Sequence, residues 1–154
     1  METLSDKSED WRCLFAPKGP LHLDTKMLWL NSQYDFFMIK EIMKIDCLLE
    51  TGPKVFSPKY CSPPEILIMD YYRGLINTHV LGELAKQGHS IWSNACSWHT
   101  VTVLSKIYDN WRVKAPLYGR RRTAKQAVED FVFKNQKIMD IDRFPWPSNR
   151  LCAF

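Results

Sequence analysis

Two residues of this 154-residue sequence are of types that work together as acid and base: Asp35, which follows the apolar run Met27-Leu28-Trp29-Leu30, and His99, which follows Ile91-Trp92. A carboxylate can hold one ring nitrogen of an imidazole, which frees the other to take a proton from a hydroxyl and return it to a leaving group. Serine-dependent ester hydrolysis is built this way, from a hydroxyl, a base within reach and an acid that fixes the base's tautomer. Any chain with an acid upstream of a histidine meets the order alone, so the surroundings must decide. Asp35 could also simply cap the helix that starts at Phe36. No serine stands in a Gly-x-Ser-x-Gly turn; Gly88-His89-Ser90-Ile91-Trp92 comes nearest and lacks the second glycine.

The other chemistry-bearing residues invite plainer readings. His79 falls inside a helical pattern and His89 just past it, which suits packing or capping, and His22 lies in a loop with no evident partner. Cys96-x-x-His99 is half of a zinc pattern, but no second closely spaced pair completes four ligands, so neither a metal nor a cofactor is expected. Trp92 and Trp98 suit either an acyl or sugar pocket or the core, and large aromatics near a sheet end more often serve the core. Phe36 and Phe37 either reach an acyl pocket or lie under their helix.

The elements that must position Asp35 and His99 follow from periodicity. Residues 26–31 form a continuous apolar run of the kind that suits a strand buried on both faces, and Asp35 comes just beyond its end. Open α/β sheets place their chemistry at the carboxyl ends of their strands. Residues 36–45 fit a short helix, and a loop with Gly52, Pro53, Pro58 and Cys61-Ser62-Pro63-Pro64 follows. Ile66, Met69, Tyr72, Ile76, Val80 and Leu84 step at three and four residues and predict a long helix over about 65–87, stopped by Gly88. Ser90 to Ser93 reads as a strand that delivers the 94–99 loop. Residues 101–108 are ambiguous and read as a helix, Thr123 opens a last helix to about Lys134, and Phe144-Pro145-Trp146-Pro147 must be extended.

Composition sets the frame. With 45% apolar and 13% aromatic residues the length suits one domain or a piece of one. The start, METLSDKSED, is polar and acidic, and no stretch approaches the roughly 20 apolar residues of a membrane span, so neither a signal peptide nor an anchor is expected. The net charge of +4 divides into ten Lys/Arg against four Asp/Glu over residues 112–150, and eleven against thirteen before them. Arg120, Arg121, Arg122 and Lys125 read as a solvated loop and helix start rather than a nucleic-acid site. Five cysteines, Cys13, Cys47, Cys61, Cys96 and Cys152, hint at an oxidising compartment.

Whole segments then become specific. Trp29-Leu30-Asn31-Ser32-Gln33-Tyr34-Asp35, Tyr60-Cys61-Ser62-Pro63 opening a helix with Tyr72-Arg73, Leu75 and Asn77, and Ser93-Asn94-Ala95-Cys96-Ser97-Trp98-His99 continue into Trp111, Pro116, Ala127-Val128-Glu129-Asp130-Phe131, Ile141-Asp142 and Pro145-Trp146-Pro147 with Cys152. This pattern resembles the pectin acetylesterase/Notum family of serine carboxylesterases from about Arg12 to the end. The resemblance implies an α/β fold, the carboxyl-terminal portion of an α/β-hydrolase-like fold, helix-rich with a few parallel strands, residues 1–11 being a polar segment and 12–154 the hydrolase part. It implies Asp35 and His99 as the catalytic acid and base of a Ser-Asp-His triad whose nucleophilic serine, like the glycine-rich oxyanion loop, is absent from this sequence. The implied substrate is an ester of acetylated polysaccharide or acylated protein; the implied surroundings are extracellular, with no cofactor, nucleic acid or membrane. Family cysteines are replaced by Thr100 and Ser148, Cys13, Cys61, Cys96 and Cys152 keep family-like places, and Cys47 is the one candidate to substitute for a missing cysteine before Cys61. The chain is thus expected to be a truncated product, an incomplete gene model or a piece that needs an amino-terminal partner, and to be inactive as an esterase alone. The alternative is a non-catalytic interaction protein that uses a remnant half fold and its basic 112–150 region.

Overall fold

The structure, a computed structural model, describes residues 24–52, 55–57, 60–99, 105–113 and 120–146. Three strands form a parallel sheet, β1 (Leu28–Ser32), β4 (Ser90–Asn94) and β5 (Met139–Ile141), in the order β1-β4-β5. Leu28 pairs with Ser90 and Ser32 with Asn94 on one side of β4; Ile91 pairs with Met139 and Ser93 with Ile141 on the other. Parallel sheets are covered on both faces, which is why β1 opens as an apolar run rather than as an alternation. All five residues of β4 are buried.

Side-chain alternation divides the sheet between two cores. Leu28, Leu30 and Trp92 face one cluster with Trp98, Trp111, Val113 and Ile138, closed by Ala124 and Ala127 of α4 (Ala124–Lys134). Trp29, Ile91, Met139 and Ile141 face the other, against Leu81 and Leu84 of the long helix. Helix, sheet and helix therefore stack in three layers, an α/β arrangement.

The long helix runs over 63–86 as predicted, but not uniformly. It comprises α1 (Pro63–Leu75), a π-helical turn (Ile76–Leu81) and α2 (Gly82–Lys86). Prolines at its first two positions need no amide partner, and the Ser62 amide and hydroxyl both donate to Glu65, at 2.7 and 2.6 Å. Those bonds hold the Glu65 carboxyl below its ordinary value. Gly88, at φ 85°, ends the helix in the left-handed region that favours glycine. At α4 the Gln126 amide donates to the Thr123 hydroxyl and the Thr123 amide to the Gln126 side chain, at 3.1 and 3.0 Å. Asn135, at φ 48°, closes that helix.

Several elements differ from their expectations. The helix expected over 36–45 is shorter, a π-helical turn at Met38–Ile42 that Lys44 ends with φ 57°. The segment around Gly52 and Pro53, read as loop, carries an antiparallel pair, β2 (Leu49–Gly52) and β3 (Val55–Ser57). Cys47 and Cys61 bracket it with a disulfide, so Cys47 does pair with Cys61. β5 was not expected at all. Within the ambiguous 101–108 segment the described part is helical, α3 (Ser105–Asn110); residues 101–104 lie outside the described residues, as do Trp11–Phe15, Cys13, His22, Thr100, Pro147, Ser148 and Cys152.

Arg122 is the clearest correction. It is buried, not solvated, and its guanidinium meets Asp130 at 2.7 Å and Asp140 at 2.9 Å. Asp140 sits fully buried in the middle of β5 and also accepts from the Arg120 amide at 2.6 Å. A buried charge must be paired, and this ion pair makes a strand with a central aspartate possible. Asp130 is held below the ordinary aspartate value by its bond to Lys134 first and by Arg122 as well. Arg120 and Arg121 remain exposed. Among the described residues no helix is long and apolar enough to cross a membrane.

Candidate active site

β1 and β4 are parallel neighbours, so the loops that leave their carboxyl ends emerge side by side. The first carries Asp35, three residues after β1, and the second carries His99, five residues after β4. The structure brings the two together. His99 Nδ1 lies 3.0 Å from Asp35 Oδ1 and 2.9 Å from Oδ2. An ionised carboxylate can only accept, so in this pairing the ring donates through Nδ1–H.

Asp35 also caps its helical turn. Its Oδ1 accepts from the amides of Phe37, at 2.9 Å, and Met38, at 3.3 Å. One carboxylate, 8% exposed, thus caps the turn and bonds the His99 ring, fixed from two sides. Tyr72, on α1, feels it: its phenol is pushed above the ordinary value by burial first and then by the Asp35 charge.

Aromatic rings surround the imidazole. Phe37, an exposed side chain, stacks on His99 with centroids 5.1 Å apart and 27° between planes, and Phe36 meets it edge-on at 6.0 Å. Phe36 in turn touches Trp98 at 6.3 Å, and Trp98 packs edge-on against Trp111 at 6.2 Å. Trp98 therefore anchors the histidine loop in the core. Trp92 does the same for the sheet, its indole N–H donating to the Arg122 carbonyl at 2.9 Å. Cys96, three residues before His99, is disulfide-bonded.

His79 and His89 take no part in the pair. His79 is exposed on the π-helical turn, and His89 is buried with Nδ1 accepting from the Met27 amide at 3.4 Å. Ser90, the nearest approach to a nucleophile turn, is buried at the start of β4, the opposite end of the strand from the His99 loop, where its hydroxyl accepts from the Ile138 amide at 3.0 Å.

Sequence reasoning missed the polar residues that hold the two loops. Gln33, fully buried in the turn after β1, donates through Nε2 to the carbonyls of Ser93, at 3.2 Å, and Asp142, at 3.0 Å. Its own carbonyl accepts from Arg73 Nε. Tyr34 is buried beside it, donates to Asp70 and accepts from the Trp146 amide at 3.0 Å. Burial first and the Asp70 partner second push the Tyr34 phenol far above its ordinary value, so it stays a donor.

A family model described as pectinacetylesterase matches residues 1–153. No curated protein and no solved structure matches the chain.

Proposed function

We propose that this chain, which belongs to the pectinacetylesterase family, supplies the acid and base of a serine carboxylesterase on the carboxyl-terminal portion of an α/β-hydrolase-like fold. The reading rests on one observation above all: His99 Nδ1 sits between both oxygens of Asp35 at 3.0 and 2.9 Å, at the carboxyl ends of adjacent parallel strands. Asp35 holds the Nδ1–H tautomer and stabilises the imidazolium. Nε2 takes the proton of an attacking serine hydroxyl and returns it to the alcohol that leaves. The substrate class is an acetyl ester of a pectin-like polysaccharide or an acyl ester on a protein.

The serine comes from chain beyond these 154 residues, since no Gly-x-Ser-x-Gly turn occurs among them. The exposed apolar side chains Leu67, Ile68 and Tyr71 along α1 support a partner surface of this kind. The Cys47–Cys61 disulfide and the bonded Cys96 support work in an oxidising compartment.

Losing a triad serine costs on the order of a millionfold in turnover. The purified 154-residue chain should therefore show no enzyme-like turnover of p-nitrophenyl acetate. A version extended upstream to include a Gly-x-Ser-x-Gly turn should show it, and His99→Ala in that version should lose on the order of 10⁴-fold or more in kcat. Enzyme-like turnover by the 154 residues alone, or an extended version indifferent to His99→Ala, would sink the proposal.

A further inference from the structure

A bond between Asp35 and His99 demands that two separate loops keep their spacing to roughly half an ångström. Asp142, just after β5, touches the supports of both. Its buried carboxylate accepts from the Ala95 amide at 2.9 Å, four residues before His99. Its carbonyl accepts from Gln33 Nε2 at 3.0 Å, two residues before Asp35. Arg73, from the long helix, donates to the same carbonyl at 3.1 Å and to the Arg143 carbonyl at 2.9 Å, and its Nε holds the Gln33 carbonyl. The Asp142 amide donates to the Ser93 carbonyl at 2.8 Å, the same oxygen that Gln33 Nε2 reaches at 3.2 Å.

We infer that Asp142 is a positioning residue: it sets the distance between the Asp35 loop and the His99 loop from the third strand, through Ala95 on one side and Gln33 on the other. This role rests on the Asp35–His99 reading above. A carboxylate bonded to a backbone amide makes a charge-assisted hydrogen bond, among the stronger ones available to a loop. Because Asp142 is buried, its loss removes that acceptor from the Ala95 amide and with it one fixed point of the His99 loop. Gln33 uses its donors and its acceptor at once, so a movement of Asp142 passes to the turn before Asp35.

The test reads the His99 ring directly, so it works on the 154-residue chain without substrate. In the folded protein the His99 Nδ1 proton, bonded to Asp35, should give a far-downfield NMR signal, assigned by its loss in His99→Gln. Asp142→Ala should abolish that signal while the amide signals of β1 and β4 persist. Asp142→Asn, whose side-chain oxygen still accepts from Ala95, should restore it. Gln33→Glu, which keeps an acceptor for Arg73 but cannot donate to the Ser93 and Asp142 carbonyls, should weaken it independently, which guards against Asp142→Ala failing to fold. A full signal in Asp142→Ala or in Gln33→Glu overturns the inference, as does Asp142→Asn behaving like Asp142→Ala. Asp35→Ala separates the two ideas: a signal that survives it shows that the proton is not bonded to Asp35, which defeats the pair itself rather than its positioning.

Discussion

Asp35 does two jobs with one carboxylate, and the two can be separated by substitution. As a cap it satisfies the amides of Phe37 and Met38, and as a partner it holds His99 Nδ1. Asparagine keeps an oxygen for the amides but carries no charge and presents an NH₂ group as well, which favours the wrong imidazole tautomer. Alanine keeps neither function. In a serine-containing version, both Asp35→Asn and Asp35→Ala should lower kcat by about 10⁴-fold. Only Asp35→Ala should lose the cap, costing about 1 kcal/mol more in denaturant unfolding than Asp35→Asn. Equal stabilities for the two variants would show that the cap contributes little. The candidate pair was legible in sequence because both residues sit in long specific segments, from Trp29 to Asp35 and from Ser93 to His99. Gln33 and Asp142 were not legible as supports, because a polar residue after a strand looks the same whether it is solvated or, like these two, buried with its donors and acceptors bonded.

At the scale of elements, whatever carried a strong apolar pattern was readable: β1, α4 and the long helix with its Ser62 start and Gly88 stop all appear close to where the pattern placed them, and β4 follows that stop as a brief strand. The π-helical turn inside the long helix left no trace in the pattern, since its apolar positions still step at three and four residues. β5 was hidden for a different reason. It is three residues long and has an aspartate at its centre, a composition that argues against a strand until Arg122, eighteen residues away, is seen to neutralise it. The same bond removes Arg122 from the apparent basic run. Breaking one partner of such a pair strands the other charge, whereas replacing both does not. Asp140→Ala should therefore cost about 3–5 kcal/mol in chemical denaturation. Replacing the pair together, Arg122→Met with Asp140→Leu, should recover most of that loss, because Asp130 keeps its 2.7 Å bond to Lys134. A double variant as unstable as Asp140→Ala would mean that the Arg120 amide bond to Asp140, not the charge pair, holds β5 in place.

Across the whole molecule, Asp35 and His99 approach each other over the seam between two packed clusters. Tyr34 and Phe36, which flank Asp35, belong with Ile39, Ile45, Leu48 and Met69, and this cluster includes Cys47 and Cys61. Cys96 and Trp98, which lead to His99, belong with Trp92, Trp111 and the α4 alanines. Ala95 packs with the first cluster and Cys96 with the second, so the seam crosses the histidine loop between adjacent residues. The pair is then only as well defined as the clusters on either side, and the Asp35 side depends on a disulfide closing a loop with a sequence separation of 14. A link across a loop of that length stabilises by roughly 3 kcal/mol, a large share of the 5–15 kcal/mol typical of a whole domain. The double variant Cys47→Ser/Cys61→Ser should therefore melt roughly 6–12 °C lower than the unaltered chain, at about 2–4 °C per kcal/mol for this size. Its effect should also be uneven. Hydrogen exchange at the amides of residues 36–48 should speed up more than exchange at β4 and α4, which lie in other clusters. A uniform acceleration across all three regions would show the clusters to be one cooperative unit, with no seam beneath the pair.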